Sequence, residues 1–236
     1  MAPSGREVQA MFAEIAPQYD LLNRTLSFGV DRSWRKRTVR ALDLAPGARL
    51  LDLCCGTGDL AVAFAVAGAS VVGADFTGPM LPLARAKGEQ LGLRIAWLRA
   101  DAQALPLPTA SFDAVTAAFG IRNVEDPRQA LRESLRVLRP GGRLAILEFF
   151  PIRNRFWRGF FNFYFHRVLP QFARFTRAGR TPAYRYLPQS VAAFAEIEAF
   201  RSWMEAAGFE DVADRPFTGG VARLVVGRRP GSAGAG

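Results

Sequence analysis

The stretch Leu50 to Ala61, LLDLCCGTGDLA, constrains this chain more than any other. An apolar run ends at Asp52, Gly56 and Gly58 open a tight turn, and residues with helical periodicity follow. That order predicts strand, glycine loop, helix, the layout of a nucleotide-binding turn. Without a Cβ, Gly56 and Gly58 allow backbone conformations closed to other residues and let a ligand lie against the main chain. The helix starting near Asp59 offers unpaired N–H groups and the positive end of its dipole to a carboxylate or phosphate. A lone G-x-G also suits an ordinary loop, so the surrounding pattern has to decide.

That pattern alternates strand and helix. Strands are predicted at 49–54, 70–75, 94–99, 112–118 and 143–149, and helices at 59–67, 78–91 and 127–138. Short connections between them imply a parallel sheet covered on both faces, an α/β Rossmann-like fold. Before it, residues 1–10 read as disordered, Val8 to Tyr19 shows helical spacing, and Asp31 to Leu44 is a basic helix ending near Pro46-Gly47. After it, a helix at 192–207 and strands at 210–216 and 221–228 close the chain. The two strands can pair as an antiparallel edge hairpin across Thr218-Gly219-Gly220. The expected units are a helical cap (1–48), a cofactor-binding core (49–149), an insertion (150–190), a closing helix and hairpin (191–230) and a flexible tail (231–236).

The chain has 236 residues, enough for one domain with a full core. Its 31 basic residues exceed its 21 acidic ones by 10, and Lys36 and Lys87 are the only lysines. Such a charge suits an anionic surface, nucleic acid or lipid, although arginine richness can equally reflect genomic composition. Cys54 and Cys55 are the only cysteines, and as strand neighbours they face opposite ways, which implies neither a disulfide framework nor a metal site. MAPSGREVQAM has no signal-peptide pattern, and no run of 18 or more apolar residues could span a bilayer. A soluble or peripheral protein of the reducing cytoplasm is expected.

Two acids follow the glycine loop at strand ends. Asp75 closes the second predicted strand, where its oxygens could accept from both hydroxyls of a ribose or, alternatively, cap a helix. Asp101-Ala102 follows the third, where the acid could accept from an adenine amino group while the next N–H donates to the ring. GTGDLA also fits the dinucleotide turn G-x-G-x-x-G/A. Against a dinucleotide, Asp52 adds a carboxylate that suits a cationic cofactor better than a pyrophosphate, and no second catalytic domain remains. S-adenosylmethionine, with its sulfonium and ammonium, fits better.

LLDLCCGTGD, GADFTGPML, RADAQALPLPTASFD, FGIRNVEDPRQALRESLRVLRPGGRLAILEF and MFAEIAPQYDLLNRTLSFGVDRSWR together resemble the ubiquinone/menaquinone biosynthesis C-methyltransferases of the UbiE/MenG type. The resemblance runs from about Met11 to Gly227. It implies a class I methyltransferase fold, a seven-stranded, mostly parallel sheet with an antiparallel C-terminal strand. It also implies methyl transfer from S-adenosylmethionine to the ring carbon of a polyprenylated quinol, demethylmenaquinol in preference to the ubiquinone benzoquinol, with another aromatic or lipid acceptor or RNA as alternatives. By position it carries cofactor contacts onto Thr57, Asp75, Asp101 and Ala102, alongside Asp52, Gly56 and Gly58 from the loop itself. Ala118 stands where the family often has serine, so a hydroxyl contact is lost or the backbone serves, and Val225 replaces a histidine of some members. Tyr19 and Asn23 belong to a family-specific set expected at the substrate.

The reaction needs a carbon nucleophile, and a hydroquinone becomes one on losing a phenolic proton of pKa about 10. Arg122 and Asn123, just after the fourth strand, are expected where substrate meets cofactor. Arg122 stays protonated, so it would stabilise the phenolate and orient a water that takes the proton, or else pair structurally with Glu125 or Asp126. His166, the only histidine, is either the general base or a packed residue among aromatics. Tyr184 and Tyr186 either line the quinol pocket or anchor the insertion.

From Phe149 to Ala195 there is no acid, while Arg153, Arg155, Arg158, Arg167, Arg174, Arg177, Arg180 and Arg185 are interleaved with Phe156, Trp157, Phe160, Phe161, Phe163, Tyr164 and Phe165. This suits an interfacial lid at the inner face of an anionic membrane, or an aromatic core under a basic rim. The basic residues are too mixed with aromatics for a phosphate track, so no nucleic-acid partner is expected. A homodimer is left open.

Overall fold

The computed structural model describes residues 5–27, 29–152, 155–163, 167 and 183–231. Seven strands form one sheet: β1 (Arg49–Leu53), β2 (Ser70–Asp75), β3 (Ala96–Arg99), β4 (Phe112–Ala118), β5 (Leu138–Phe149), β6 (Glu210–Phe217) and β7 (Ala222–Arg228). Their spatial order is β3-β2-β1-β4-β5-β7-β6. All neighbours from β3 to β5 run parallel, and β7 lies antiparallel between β5 and β6. This is the seven-stranded sheet with an antiparallel final strand that the resemblance implies.

The helices are α1 (Gly5–Ile15), α2 (Tyr19–Ser27), α3 (Asp31–Leu42), α4 (Asp59–Val66), α5 (Met80–Gln90), α6 (Pro127–Val137), α7 (Arg155–Phe163), α8 (Ala183–Ala193) and α9 (Ile197–Ala206). Successive strand residues point to opposite faces, so each inner strand feeds two cores. Leu51, Leu53, Val115 and Ile146 join Leu131, Phe200 and Met204 on one face. Leu50, Ala114, Ala145 and Leu147 join Trp34, Leu42 and Phe64 on the other. Asp52 shares the parity of Leu50 and therefore points toward α3 and α4.

Three expectations change. Residues 5–10 are helical rather than disordered, because Val8 is buried and the Gln9 amide donates to the Phe76 carbonyl at 3.1 Å; residues 1–4 lie outside the description. β5 begins at Leu138, not Arg143. Leu138 pairs with Phe112 before a register shift, and Gly141, with φ of 79°, turns the chain so that Gly142 can pair with Arg229. The single helix at 192–207 is two helices. Phe194 leaves the helical path to pack its ring 5.4 Å from Phe150 and 5.7 Å from Phe200, and α9 restarts after an extended Glu196. The hairpin turn at Thr218–Gly220 forms as expected, and the Trp157 ring of α7 lies so close to Gly219 that a Cβ there would sit 2.2 Å from it.

Candidate active site

The C-terminal ends of β1, β2, β3 and β4 surround a cleft of about 230 Å3. The sheet order reverses between β1 and β4, and open α/β sheets bind ligands at such points. Leu53, Cys54 and Gly56 form its floor, Asp75 to Thr77 and Ala100 to Gln103 one wall, and Phe119, Gly120 and Asn123 to Glu125 the other. Val8, Gln9, Phe12 and Tyr19 roof it.

The glycine loop behaves as its sequence predicts. Gly56 has φ of 53° and Gly58 of 83°, both in the left-handed region that penalises a Cβ. Space forbids one at Gly58 as well, since it would sit 2.6 Å from the Trp97 ring. The loop is tied to the next strand end by Asp75, whose Oδ2 accepts from the Gly56 N–H at 2.7 Å and whose Oδ1 accepts from the Thr77 N–H at 2.7 Å. Burial pushes the Asp75 carboxyl above its usual range against those bonds and one from the Thr77 side chain. The Thr77 hydroxyl bonds the same carboxylate, which leaves the carboxylate acceptor capacity for one ligand hydroxyl. Asp101 also lines the cleft, its carboxylate fixed by the Gln103 N–H at 2.9 Å, and Ala102 is buried beside it.

Other predicted residues lie off the cleft wall. Asp52 is buried behind the loop, accepting from the Thr116 hydroxyl at 2.7 Å, and burial raises its carboxyl to about 7 despite the Arg35 charge. The Thr57 hydroxyl turns away to donate to Asp20. Ala118 is half-buried and does not line the cleft, and its neighbour Phe119, held at φ of 58°, faces the cleft in its place. Asn23 hydrogen-bonds the Tyr19 phenol, and burial raises that phenol above 10.

Arg122 is buried and paired with neither Glu125 nor Asp126. It donates to Glu148 Oε1 at 2.6 Å, to the Phe119 carbonyl at 2.8 Å and, through Nε, to Ser190 of α8 at 3.2 Å. Its guanidinium also stands 5.6 Å from the Phe149 ring centroid. Next to it Asn123 does line the cleft, and Tyr186 of α8 donates to Asn123 Oδ1 at 2.8 Å. With its oxygen engaged, the Asn123 amide has N–H donors left for the cleft. Tyr186 meets Phe12 edge-on at 6.2 Å, so α8 and α1 touch above the cleft. His166 and the Tyr184 side chain lie outside the described residues.

Glu148 was not anticipated. Its signal was present: a single acid in the strand LAILEFF, which must be buried on both faces, has to have a partner. Cys54 reaches the cleft floor, while burial holds its thiol well above the usual range. Among the described residues lining the cleft, Asp75, Asp101 and Glu125 carry charge and no Lys, Arg or His is present. In a chain of net charge +10 such a cavity repels polyanions and suits a cationic ligand. The open glycine loop, strand-end acids and anionic lining fit S-adenosylmethionine and do not fit a pyrophosphate.

The model of the ubiE/COQ5 methyltransferase family matches residues 2–229. A demethylmenaquinone methyltransferase from Thermus thermophilus is 54% identical over 223 residues, 93% of this chain and 100% of that one. A ubiquinone/menaquinone biosynthesis C-methyltransferase UbiE from Geobacter sulfurreducens is 44% identical, covering 97% of this chain and 91% of its own. A solved SAM-dependent methyltransferase from Thermotoga maritima superposes with a TM-score of 0.66 at 20% identity, covering 93% of this chain and 98% of that one, which speaks for the fold alone. With a match across nearly its whole length, the chain belongs to the ubiE/COQ5 methyltransferase family.

Proposed function

We propose that this protein methylates a ring carbon of a demethylated polyprenyl quinol, converting demethylmenaquinol to menaquinol with S-adenosylmethionine as donor. The observation that carries the donor is the anionic cleft at the strand ends of a strongly basic chain; the acceptor follows the name of the Thermus relative. When bound, S-adenosylmethionine would supply an electrophilic methyl group. The quinol gives up a phenolic proton, and its ring carbon takes the methyl as the methyl–sulfur bond breaks and S-adenosylhomocysteine leaves. The ring regains aromaticity by losing that carbon's hydrogen as a second proton, the first returning to the oxygen.

The chain's own residues bind, orient and stabilise. Asp75 and Asp101 hold the nucleoside end, with Gly56 admitting it against the backbone. The Asn123 amide, its oxygen held by Tyr186, points N–H donors at the oxygen that gains charge as the quinol ionises. Preorganised donors of this kind are worth about 10²–10³ in kcat. Arg122 adds positive charge from behind Asn123, although Glu148 neutralises part of it, and Arg122 serves as much to hold Phe119 and α8 in place. Phe12, Tyr19 and Phe119 supply apolar wall for the ring.

The membrane reading belongs here as well. No helix among the described residues is long and apolar enough to cross a bilayer. On α7, Arg155, Phe156 and Arg158 are all exposed, as is Phe163. A basic and aromatic face of this kind supports docking at an anionic bilayer, where a polyprenyl tail could stay among acyl chains while its head enters the cleft.

The decisive assay gives labelled S-adenosylmethionine with reduced demethylmenaquinol, or with the ubiquinone benzoquinol intermediate, in detergent, and identifies product by mass. Product from the naphthoquinol is expected; product from both acceptors makes the enzyme a shared one, as the name of the Geobacter relative has it. Transfer to neither, with the cofactor bound, removes the substrate reading. Asn123→Ala is expected to lower kcat by about 10²-fold, and full activity in Arg122→Ala would remove the arginine from the mechanism.

A further inference from the structure

Three elements meet at Lys87, outside the cleft. Lys87 stands in the last turn of α5, and its ammonium lies 2.8 Å from Asp20 of α2, bonds Asp59 in the first turn of α4, and donates to Thr57 of the glycine loop at 3.3 Å. The Thr57 hydroxyl donates in turn to Asp20. Lys87, Asp20 and Asp59 are 22%, 26% and 24% exposed, so the cluster is partly withdrawn from water, and its ion pairs are screened less than surface pairs. Burial works against the Asp20 charge, yet the hydrogen bonds from Lys87 and Thr57 outweigh it and hold the carboxyl below its usual range.

The cluster's neighbours give it a function. Tyr19, one residue before Asp20, roofs the cleft, and its ring lies within 3.6 Å of where a Gly56 Cβ would stand. Thr57 stands between the two loop glycines. Tying Asp20 to Thr57 therefore fixes the roof against the loop that takes the cofactor. α1 is carried along, since Phe12 packs edge-on against Tyr19 at 6.0 Å and Val8, Gln9 and Phe12 also line the cleft. The two loop-side acids converge on one of only two lysines in a chain that otherwise uses arginine. A compact ammonium with three donors can serve two carboxylates and a hydroxyl that meet at one point, which the planar fork of an arginine does less readily.

We propose that Lys87 is a positioning residue for the cofactor: by clasping Asp20, Thr57 and Asp59 it locks the N-terminal helices onto the glycine loop, making the roof part of the cofactor site. The proposal rests on S-adenosylmethionine being the ligand of the cleft. Cofactor affinity and closure of the roof are then one equilibrium. Disturbing Lys87 weakens cofactor binding by loosening the roof, and bound cofactor shields α2.

The test titrates S-adenosylmethionine into the full chain by calorimetry and follows tryptic cleavage after the exposed Arg24 of α2. If the wild type fails to bind, the cofactor reading itself falls, and with it this proposal. If it binds, Lys87→Met is expected to raise Kd and the cofactor KM about tenfold while kcat at saturating cofactor stays within twofold. Cofactor should slow cleavage at Arg24 in the wild type and not in Lys87→Met, and Lys87→Arg should recover part of the affinity. Should Lys87→Met fail to fold, Asp20→Asn carries the same prediction. A wild-type Kd in the variant, with cleavage at Arg24 indifferent to cofactor, overturns the clasp.

Discussion

At the scale of single residues, Asp52 is a carboxyl whose ionisation opposes the fold. Burial raises it to about 7 from an unfolded value of 3.8, while Thr116 and the Ala61 N–H bond it and Arg35 favours its charge. Its contribution to stability is complete below the unfolded value and is lost as pH rises through about 7. Across that window the folded chain keeps a proton that the unfolded chain has released, so stability falls by up to about 1.4 kcal/mol per pH unit. Asp52→Asn cannot ionise and still offers Thr116 an acceptor. Urea midpoints between pH 5 and 8 should fall less steeply in the variant, with Asp75 and Glu148, also raised by burial, supplying what slope remains. Identical slopes would mean that Asp52 is ionised throughout. The sequence marked Asp52 as a cofactor residue because it precedes the loop; strand parity, which sends it toward α4 beside Leu50, was readable too and points it away from the cleft. Partnerships were less legible. Arg122 and Glu148 lie 26 residues apart, and nothing local in FGIRN distinguishes Glu148 from the nearer Glu125 or Asp126.

Among elements, α8 joins the insertion to the catalytic end of the sheet. Two side chains four residues apart, Tyr186 and Ser190, face the same way on a helix and grip the consecutive residues Asn123 and Arg122. The grip orients the Asn123 amide and closes the roof at once. Tyr186→Phe removes one hydrogen bond, worth about 1 kcal/mol. The expectation is a severalfold rise in quinol KM and a fall in kcat with the cofactor Kd unchanged, read from initial rates with each substrate varied in turn. A matching loss of cofactor affinity would place Tyr186 in the general architecture of the cleft. Elements bounded by strong turn signals were legible to the residue: β2 and β4 run as predicted, because apolar runs there end at Asp75 and before Gly120. Elements held by tertiary contacts were not. GREVQ has little helical signal of its own, and α1 forms there because Val8 is buried over the cleft, while the break at Phe194 answers to an aromatic cluster assembled from Phe150, Phe200 and Trp203.

Over the whole molecule, charge is segregated. The net +10 lies outside a cleft whose charged lining is anionic, so the surface and the cofactor site attract opposite partners. That division favours a lipid surface over a nucleic acid, since arginines flanking exposed Phe156 and Phe163 can enter a headgroup layer together with apolar rings, whereas rings of that exposure gain little along a phosphate backbone. Trp157, packed on the Gly219 turn, braces α7 against the β6–β7 hairpin, so this face is presented by the folded sheet. Each arginine near an anionic bilayer contributes about 1 kcal/mol. The double variant Arg155→Gln, Arg158→Gln should therefore lose about thirtyfold in partition onto phosphatidylserine vesicles at 0.1 M salt. Its turnover of detergent-dispersed quinol should stay at the wild-type rate, because neither arginine lines the cleft. Vesicle flotation distinguishes the outcomes. Equal flotation of variant and wild type would mean that α7 is not the face that meets lipid, and no flotation of either would mean that the quinol has to leave the bilayer to be methylated.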